Sequence, residues 1–377
     1  MRVLHVIDSL AVGGAERMLV EIANGTAADG HAVFACVTRA DTTLAAELRP
    51  EIALNVLNRQ RRFDLADMRR FADYTRQQRI DLMHVHGRTT LSFVLAGRAL
   101  RLTRSPIVFH DHNGGIGFDA PAPLWFRCWG RRHIAQYVGV SAKLGAWAAS
   151  SGIIPERIHV IDNALDLSRF SVGATHVSPA LSLRAELAIP DEMLLGVVVG
   201  GIRRDKGVDV LLDAVAQSQQ RVTFKIALIG GERDADYVAA CREQCAALGL
   251  SDTVIFAGER SDIAALLPQA DFAVLPSRSE SGPLVLIEFM AAGLPFVAAR
   301  VGSVGERVSA LNLAEFVPPE DALGLAQALD NLLRLTPQQR RERGQIGQAV
   351  ARRYFDIRQT MPQWYDVYNA AITDKGL

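Results

Sequence analysis

Four cysteines in 377 residues, Cys36, Cys128, Cys241 and Cys245, are too few to staple a chain of this length, which points to a reduced compartment and a fold held by its core. Cys241 and Cys245 stand one helical turn apart, but without a second Cys or His pair nearby they read as packing residues. Net charge is absent as well: Lys+Arg and Asp+Glu are 41 each, so nothing draws the whole chain to nucleic acid. The longest apolar stretch, Pro283 to Ala299, is broken by Glu288 and by Gly293-Leu294-Pro295, the punctuation of a helix, a turn and a strand, which excludes a transmembrane helix. The opening MRVLHVIDSLAVGG has one arginine and interrupts its apolar run with His5 and Asp8, so it reads neither as a secretory signal nor as a membrane span. A cytoplasmic protein is expected, at most at the inner face of the cytoplasmic membrane. Also missing are the P-loop signature, GxGxxG after the first strand, HExxH and GxSxG, which removes the NTPase, zinc-protease and α/β-hydrolase readings.

What the chain does have is an ordinary globular composition, 49% hydrophobic and 22% charged, at a length that suits two or three domains. Short β-rich runs alternate with longer periodic segments, the pattern of parallel sheets covered by helices. The spacing predicts strands at 3–7, 32–37, 82–85, 107–110, 136–140 and 158–161, then at 194–199, 224–229, 254–257, 272–275 and 296–298. Helices are predicted at 15–28, ended by Gly30, and at 208–218. The stretch Ser171 to Pro190, with small residues and weak periodicity, marks a boundary between two doubly wound units, 1–172 and 173–357. The helical tail ends in an aromatic-rich segment at 358–377, expected to cross back to the first domain.

Charge divides unevenly, with 21 basic against 16 acidic residues in 1–175 and 20 against 25 in the remainder. Arg59, Arg61, Arg62, Arg69, Arg70, Arg76 and Arg79 interleave with Phe63, Leu65, Met68, Phe71 and Tyr74, and a second basic-aromatic cluster follows at Trp125, Phe126, Trp129, Arg131 and Arg132. Such segments suit a peripheral membrane contact. They equally suit helices that pack one face on a core and solvate arginines on the other.

The residues able to do chemistry sit at strand-to-helix turns. Pro283 is placed to open a helix, capped by Ser281 or Gly282, so Glu280 falls in the loop ahead of it and Glu288 more than one turn inside. Amides from Gly282 through Leu284 to Val285 would face a phosphate or polar sugar there. Glu280, near the positive helix end, is expected to stay ionised and to accept hydrogen bonds from hydroxyls. A glycosidase needs its two carboxyls ~5 to 9.5 Å apart, whereas eight residues of helix span ~12 Å. Separate duties on one ligand fit better. Gly200-Gly201-Ile202-Arg203-Arg204-Asp205-Lys206-Gly207 joins another strand to a helix, and Lys206 with Arg203 or Arg204 would neutralise a diphosphate. Gly13 and Gly14 make a third such turn, and His110 ends a strand at the same level. Asp234-Ala235-Asp236 opens a helix, where the dipole favours acidic residues, and is not read as a metal site. His84, His86 and His112 stand close in sequence, but no carboxylate or cysteine completes a ligand set, so His84 and His86 read as core or rim histidines.

Together these segments resemble the GT-B-fold retaining glycosyltransferases of the glycosyl transferases group 1 family. The likeness rests on Glu280-x7-Glu288 with Pro276-Ser277, Gly282-Pro283, Ala291-Ala292-Gly293, Pro295 and Gly302 to Glu306. Gly13-Gly14-Ala15-Glu16, His110, Val140-Ser141, Asn163-Ala164-Leu165-Asp166 and Lys206-Gly207 support it. The resemblance implies two Rossmann-like domains facing across a cleft, with the acceptor on the first and a nucleotide-sugar donor of UDP or GDP type on the second. It implies that Lys206 holds the diphosphate, Glu280 the hydroxyls of the transferred sugar and Glu288 the ribose. Leu284 and Val285 would offer amides, His110 would lie against the sugar ring, and Gly13-Gly14 would let the backbone approach. No metal and no cofactor are implied, and the acceptor would be a saccharide or a lipid-linked saccharide, as in cell-surface polysaccharide, lipopolysaccharide or glycolipid assembly. Where the family pattern has an Arg five residues before the Lys, this chain has Gly201, and Arg203 or Arg204 would supply the charge. A nucleotide-sugar epimerase on the same scaffold, or a weakly active nucleotide-sugar-binding partner subunit, are the competing readings.

Overall fold

The computed structural model describes residues 1–112, 120–170, 182–311 and 313–373. The chain divides into two compact units, Met1–Leu165 with Ile357–Leu377, and Asp166–Asp356. The first division precedes the expected residue 172. Its reason is local: Ala164 and Leu165 are buried with the first unit, while the 3-10 turn Leu167–Phe170 packs on helices of the second. Part of the expected boundary segment, 171–181, lies outside the described residues.

The first unit runs β1 (Arg2–Ile7), α1 (Gly14–Ala28), β2 (Ala32–Val37), β3 (Ala53–Val56), α2 (Leu65–Gln77), β4 (Leu82–His86), α3 (Arg88–Ala99), β5 (Ile107–Asp111), α4 (Leu124–Cys128), β6 (Gln136–Gly139), α5 (Ala142–Ser150) and β7 (Ile158–Val160). All pairs are parallel, in the order β3-β2-β1-β4-β5-β6-β7. The central strands are buried along their length, which is why they read as unbroken apolar runs. β3 escaped the sequence reading because it is an edge strand whose side chains are largely exposed. β4 and β5 each extend a residue past their predicted ends, through His86 and Asp111.

The second unit runs α6 (Leu183–Glu186), β8 (Leu194–Val199), α7 (Val208–Gln217), β9 (Phe224–Ile229), α8 (Ala235–Ala247), β10 (Val254–Gly258), α9 (Ile263–Leu266), β11 (Phe272–Leu275), α10 (Leu284–Ala291), β12 (Phe296–Ala299), α11 (Gly302–Ser309), β13 (Glu315–Val317), α12 (Ala322–Leu333) and α13 (Pro337–Tyr354). Its parallel sheet has the order β10-β9-β8-β11-β12-β13. In both sheets the order reverses beside the first strand, between β1 and β4 and between β8 and β11, and ligands of doubly wound sheets sit beyond the strand ends at that point. Cys241 and Cys245 are buried in the core of the second unit, the packing role expected of them. Asp234 caps α8, accepting from the Tyr237 amide at 3.1 Å.

The last helix, α14 (Ile357–Thr373), packs on α1, β4, β5 and β6 and belongs to the first unit. Trp364 and Tyr368 are fully buried, which accounts for the aromatic-rich end. Arg59 departs from the amphipathic reading. It is buried, donates to Asp8 Oδ1 at 2.7 Å and lies over the Phe93 ring, so it is a core cation, while Arg61, Arg62, Arg69, Arg70, Arg76 and Arg79 are exposed. Met68 and Phe71 of α2 face the core. Among the described residues, no helix is long and apolar enough to cross a membrane.

Candidate active site

In the second unit the loops after β8 and β11 meet. Arg278 and Ser279 donate their amides to the Asp205 carbonyl at 2.8 and 3.4 Å, clipping one loop to the other. Lys206 ends a 3-10 turn (Arg204–Lys206) and donates from Nζ to Glu280 Oε1 at 2.6 Å. Ser277, with no exposed surface, donates from Oγ to the same oxygen at 2.8 Å. The two groups predicted to hold diphosphate and sugar are thus in direct contact across 74 residues of chain. They leave 21% and 12% of their side chains exposed, enough for a ligand to reach both.

Gly207 makes this close approach possible. Its φ is 64°, and a Cβ there would stand 2.2 Å from the Pro276 carbonyl oxygen. Beneath the pair, Arg278 grips Asp209 with two bonds of 2.7 and 2.8 Å and reaches Glu320 at 2.7 Å. Burial pushes the Asp209 carboxyl up, but bonds from Arg278 and Tyr237 outweigh it and hold the group below the ordinary carboxylate range. Arg278 is therefore committed to structure, a role the sequence reading missed; so is Ser277, which that reading gave no contact.

The helix after this loop starts one residue later than expected. α10 begins at Leu284, and Pro283 itself occupies the capping position. Proline at φ −64° suits either place, and its missing N–H costs nothing at a helix start. The amides of Leu284 and Val285 open the helix, where N–H groups have no partner inside it. Gly282 is buried just ahead of them. Glu288 lies in the second turn and is partly buried.

Arg203 and Arg204 are exposed: Arg203 pairs with Asp205 at 2.8 Å, and Arg204 lies over the Tyr237 ring at 5.7 Å. The arginine nearest Gly201 is neither. A Cβ on Gly201 would meet Arg233 Cγ at 2.8 Å, so Arg233, from the loop after β9, fills the space that an arginine at 201 would take. Sequence spacing could not show this, because the two loops are brought together by β8–β9 pairing and by the Ile202–Glu232 bridge that continues it.

In the first unit Gly13 precedes α1 and Gly14 opens it. Glu16 of the first turn accepts from Ser9 Oγ at 3.4 Å, and burial raises its pKa above the ordinary value. His110 is fully buried near the end of β5, its Nδ1 3.2 Å from His84 Nε2. His84 and His86 are buried and hydrogen-bonded, as core histidines should be.

Residues 195–335 match the family described as Glycosyl transferases group 1, and residues 12–169 match Glycosyltransferase Family 4. The two matches fall one on each unit, and the pair of parallel-sheet α/β units has the GT-B fold of the solved glycosyltransferases. A D-inositol 3-phosphate glycosyltransferase of Salinispora arenicola is 32% identical over 189 residues, 48% of this chain and 42% of the relative. Another, from Salinispora tropica, is 31% identical over 236 residues, 58% and 47% of the two chains. The chain thus spans less than half the length of these relatives. Among solved structures, Anabaena HepE in complex with UDP and glucose superposes with a TM-score of 0.77 at 23% identity, over 98% of this chain and 100% of that one. A glycosyltransferase from Rickettsia africae gives 0.83 at 19% identity, over 99% of each chain.

Proposed function

We propose that this chain transfers a sugar from a nucleoside diphosphate sugar to a hydroxyl of a saccharide or lipid-linked saccharide, with retention of configuration and without a metal. The observation that carries this reading is the Lys206–Glu280–Ser277 cluster beside the α10 amides. A cation and open N–H groups suit a diphosphate, and a carboxylate held between them suits sugar hydroxyls. The UDP and glucose bound by HepE, a chain of like fold, agree with this assignment. UDP is the first nucleotide to try, then GDP.

The sugar–phosphate bond would break with oxocarbenium character while Lys206, an arginine and the helix amides stabilise the departing diphosphate. The acceptor hydroxyl attacks from the same face and gives its proton to a leaving-phosphate oxygen. In that scheme Glu288 holds the ribose, His110 lies against the sugar, and Gly13-Gly14 leaves room for the backbone to approach. Calorimetric titration with UDP, GDP and ADP, then with their sugar conjugates, tests it. Selective binding by one base supports the reading, and binding by none removes it. Glu280→Gln is expected to weaken turnover by ~10- to 100-fold while the free nucleotide binds nearly as in wild type, because one charge-assisted bond set to the sugar is lost. Equal losses in both would argue against a sugar role.

The exposed Leu124 and Trp125, with Arg127 and Arg132 beside them, support a peripheral contact with anionic lipid at the cytoplasmic face and hence a lipid-linked acceptor. Flotation with vesicles containing phosphatidylglycerol is expected to carry the chain upward, and Trp125→Ser with Arg132→Ser to reduce this. A chain that stays at the bottom with and without anionic lipid has no such contact.

A further inference from the structure

Five of the nine histidines gather on neighbouring strands of the first unit. His5 lies on β1, His84 and His86 on β4, His110 on β5 and His112 just past its end. Parallel pairing puts His5 beside His84 and His86 beside His110, and the two-residue period of a strand keeps each His-x-His pair on one face. The last helix, α14, packs over them. Its Trp364 ring lies on His84 and His110 at 5.0 and 4.8 Å, and Tyr368, one turn further on, is wholly buried.

Tyr368 Oη stands 2.8 Å from His84 Nδ1, and His84 Nε2 stands 3.2 Å from His110 Nδ1. Both nitrogens of His84 are therefore in use. At the end of the chain, His110 Nε2 is buried with no partner among the described residues. A second chain runs from His5 Nδ1 to His86 Nε2 and from His86 Nδ1 to His112 Nε2, each at 3.1 Å, and makes no bond to His110. Burial, and secondly the neighbouring rings, keep His84 and His110 neutral, and burial keeps the Tyr368 phenol protonated.

Protons along such a chain are ordered together. A neutral imidazole has one N–H and one acceptor nitrogen, so the bond made at one nitrogen sets the state of the other. The phenol is the better donor and the imidazole nitrogen the better base, so Tyr368 donates to His84 Nδ1. His84 then carries its proton on Nε2 and donates to His110 Nδ1. His110 is left with its own proton on Nε2.

We propose that Tyr368 and His84 are positioning residues that fix the Nε2–H tautomer of His110, so that this ring offers a donor, and no lone pair, to an oxygen of the transferred sugar. The sugar contact rests on the function proposed above; the proton order rests on the first unit alone. A ring so protonated cannot act as a general base through Nε2, which agrees with a leaving-phosphate oxygen taking the acceptor's proton. The order also gives the aromatic end of the chain a part in the site, since the hydroxyl that starts it lies 284 residues from His84.

The tautomer can be read directly, from long-range ¹H–¹⁵N correlations of the full chain carrying ¹⁵N-histidine, with the His110 ring identified as the signal lost in His110→Gln. In wild type, Nε2 is expected to be protonated and Nδ1 bare; a proton on Nδ1 overturns the relay, and this measurement decides even if a relay variant does not fold. Tyr368→Phe keeps the ring and removes the donated proton. Its His110 is expected to become a mixture of both tautomers, and kcat/KM for the nucleotide sugar to fall about 3- to 10-fold, the worth of one neutral hydrogen bond. Tyr365→Phe, which removes a hydroxyl of the same helix bonded to Asp29, is expected to leave the tautomer as in wild type. An unchanged His110 tautomer in folded Tyr368→Phe assigns the tyrosine to packing alone and overturns the relay. A nucleotide sugar is expected to shift the Nε2 signal where the free nucleotide does not, and equal shifts overturn the sugar contact. A chain that shows the Nε2–H ring but binds no nucleotide sugar upholds the relay and overturns the function proposed above.

Discussion

Lys206→Ala is expected to lower kcat/KM for the nucleotide-sugar donor by about 10²–10³-fold, the size of effect seen when one fixed donor to a developing negative charge is removed. The variant loses Nζ, which stands 2.6 Å from Glu280, and it leaves that carboxylate with Ser277 as its bonded neighbour. Because the pair is partly exposed, water can rehydrate the carboxylate, and the stability cost is about 1–2 kcal/mol. Against a folding free energy of about 5–15 kcal/mol that cost leaves the population folded, so unfolding cannot account for the lost turnover. Steady-state kinetics together with a denaturant midpoint separate the two effects. Near-normal turnover in the folded variant would remove Lys206 from the chemistry.

Gly207→Ala tests the backbone that makes the pair possible. Its φ of 64° costs a non-glycine residue ~1–2 kcal/mol. The new Cβ would also stand 2.2 Å from the Pro276 carbonyl oxygen, so the loop carrying Ser277 and Glu280 must move. The combined destabilisation is expected to be about 2–4 kcal/mol. A displacement near 1 Å at a reacting group can cost ~10²-fold in rate, and kcat/KM is expected to fall by that order. Gly249 supplies the matched control, with φ 66° and nothing within 4 Å of a Cβ. Gly249→Ala carries the backbone strain alone, and its activity should be that of wild type. If both variants keep full activity, the two loops are not coupled in the way the contact implies.

Much of this was legible beforehand, because strand runs, glycine turns and helix caps are encoded in windows of a few residues. The runs at 32–37, 194–199, 224–229 and 272–275 coincide with β2, β8, β9 and β11. β3 and β13 were not legible, since short edge strands bury little and show no clear pattern. The roles of Ser277 and Arg278 were hidden for another reason: their partners are Glu280, across a loop turn, and Asp209, in the first turn of α7, and no spacing rule covers either.

By itself, the sequence determined the α/β alternation, the strand-to-helix turns and which residue types stand in them, because these depend on local periodicity and backbone preference. Tertiary structure alone decided that Lys206 touches Glu280, that Arg59 is buried on Asp8, and that His5 joins four other histidines. The physical reason is strand order. Pairing β8 with β11 and β1 with β4 brings together residues about 75 positions apart, and that choice is made by the packing of whole strands and their covering helices.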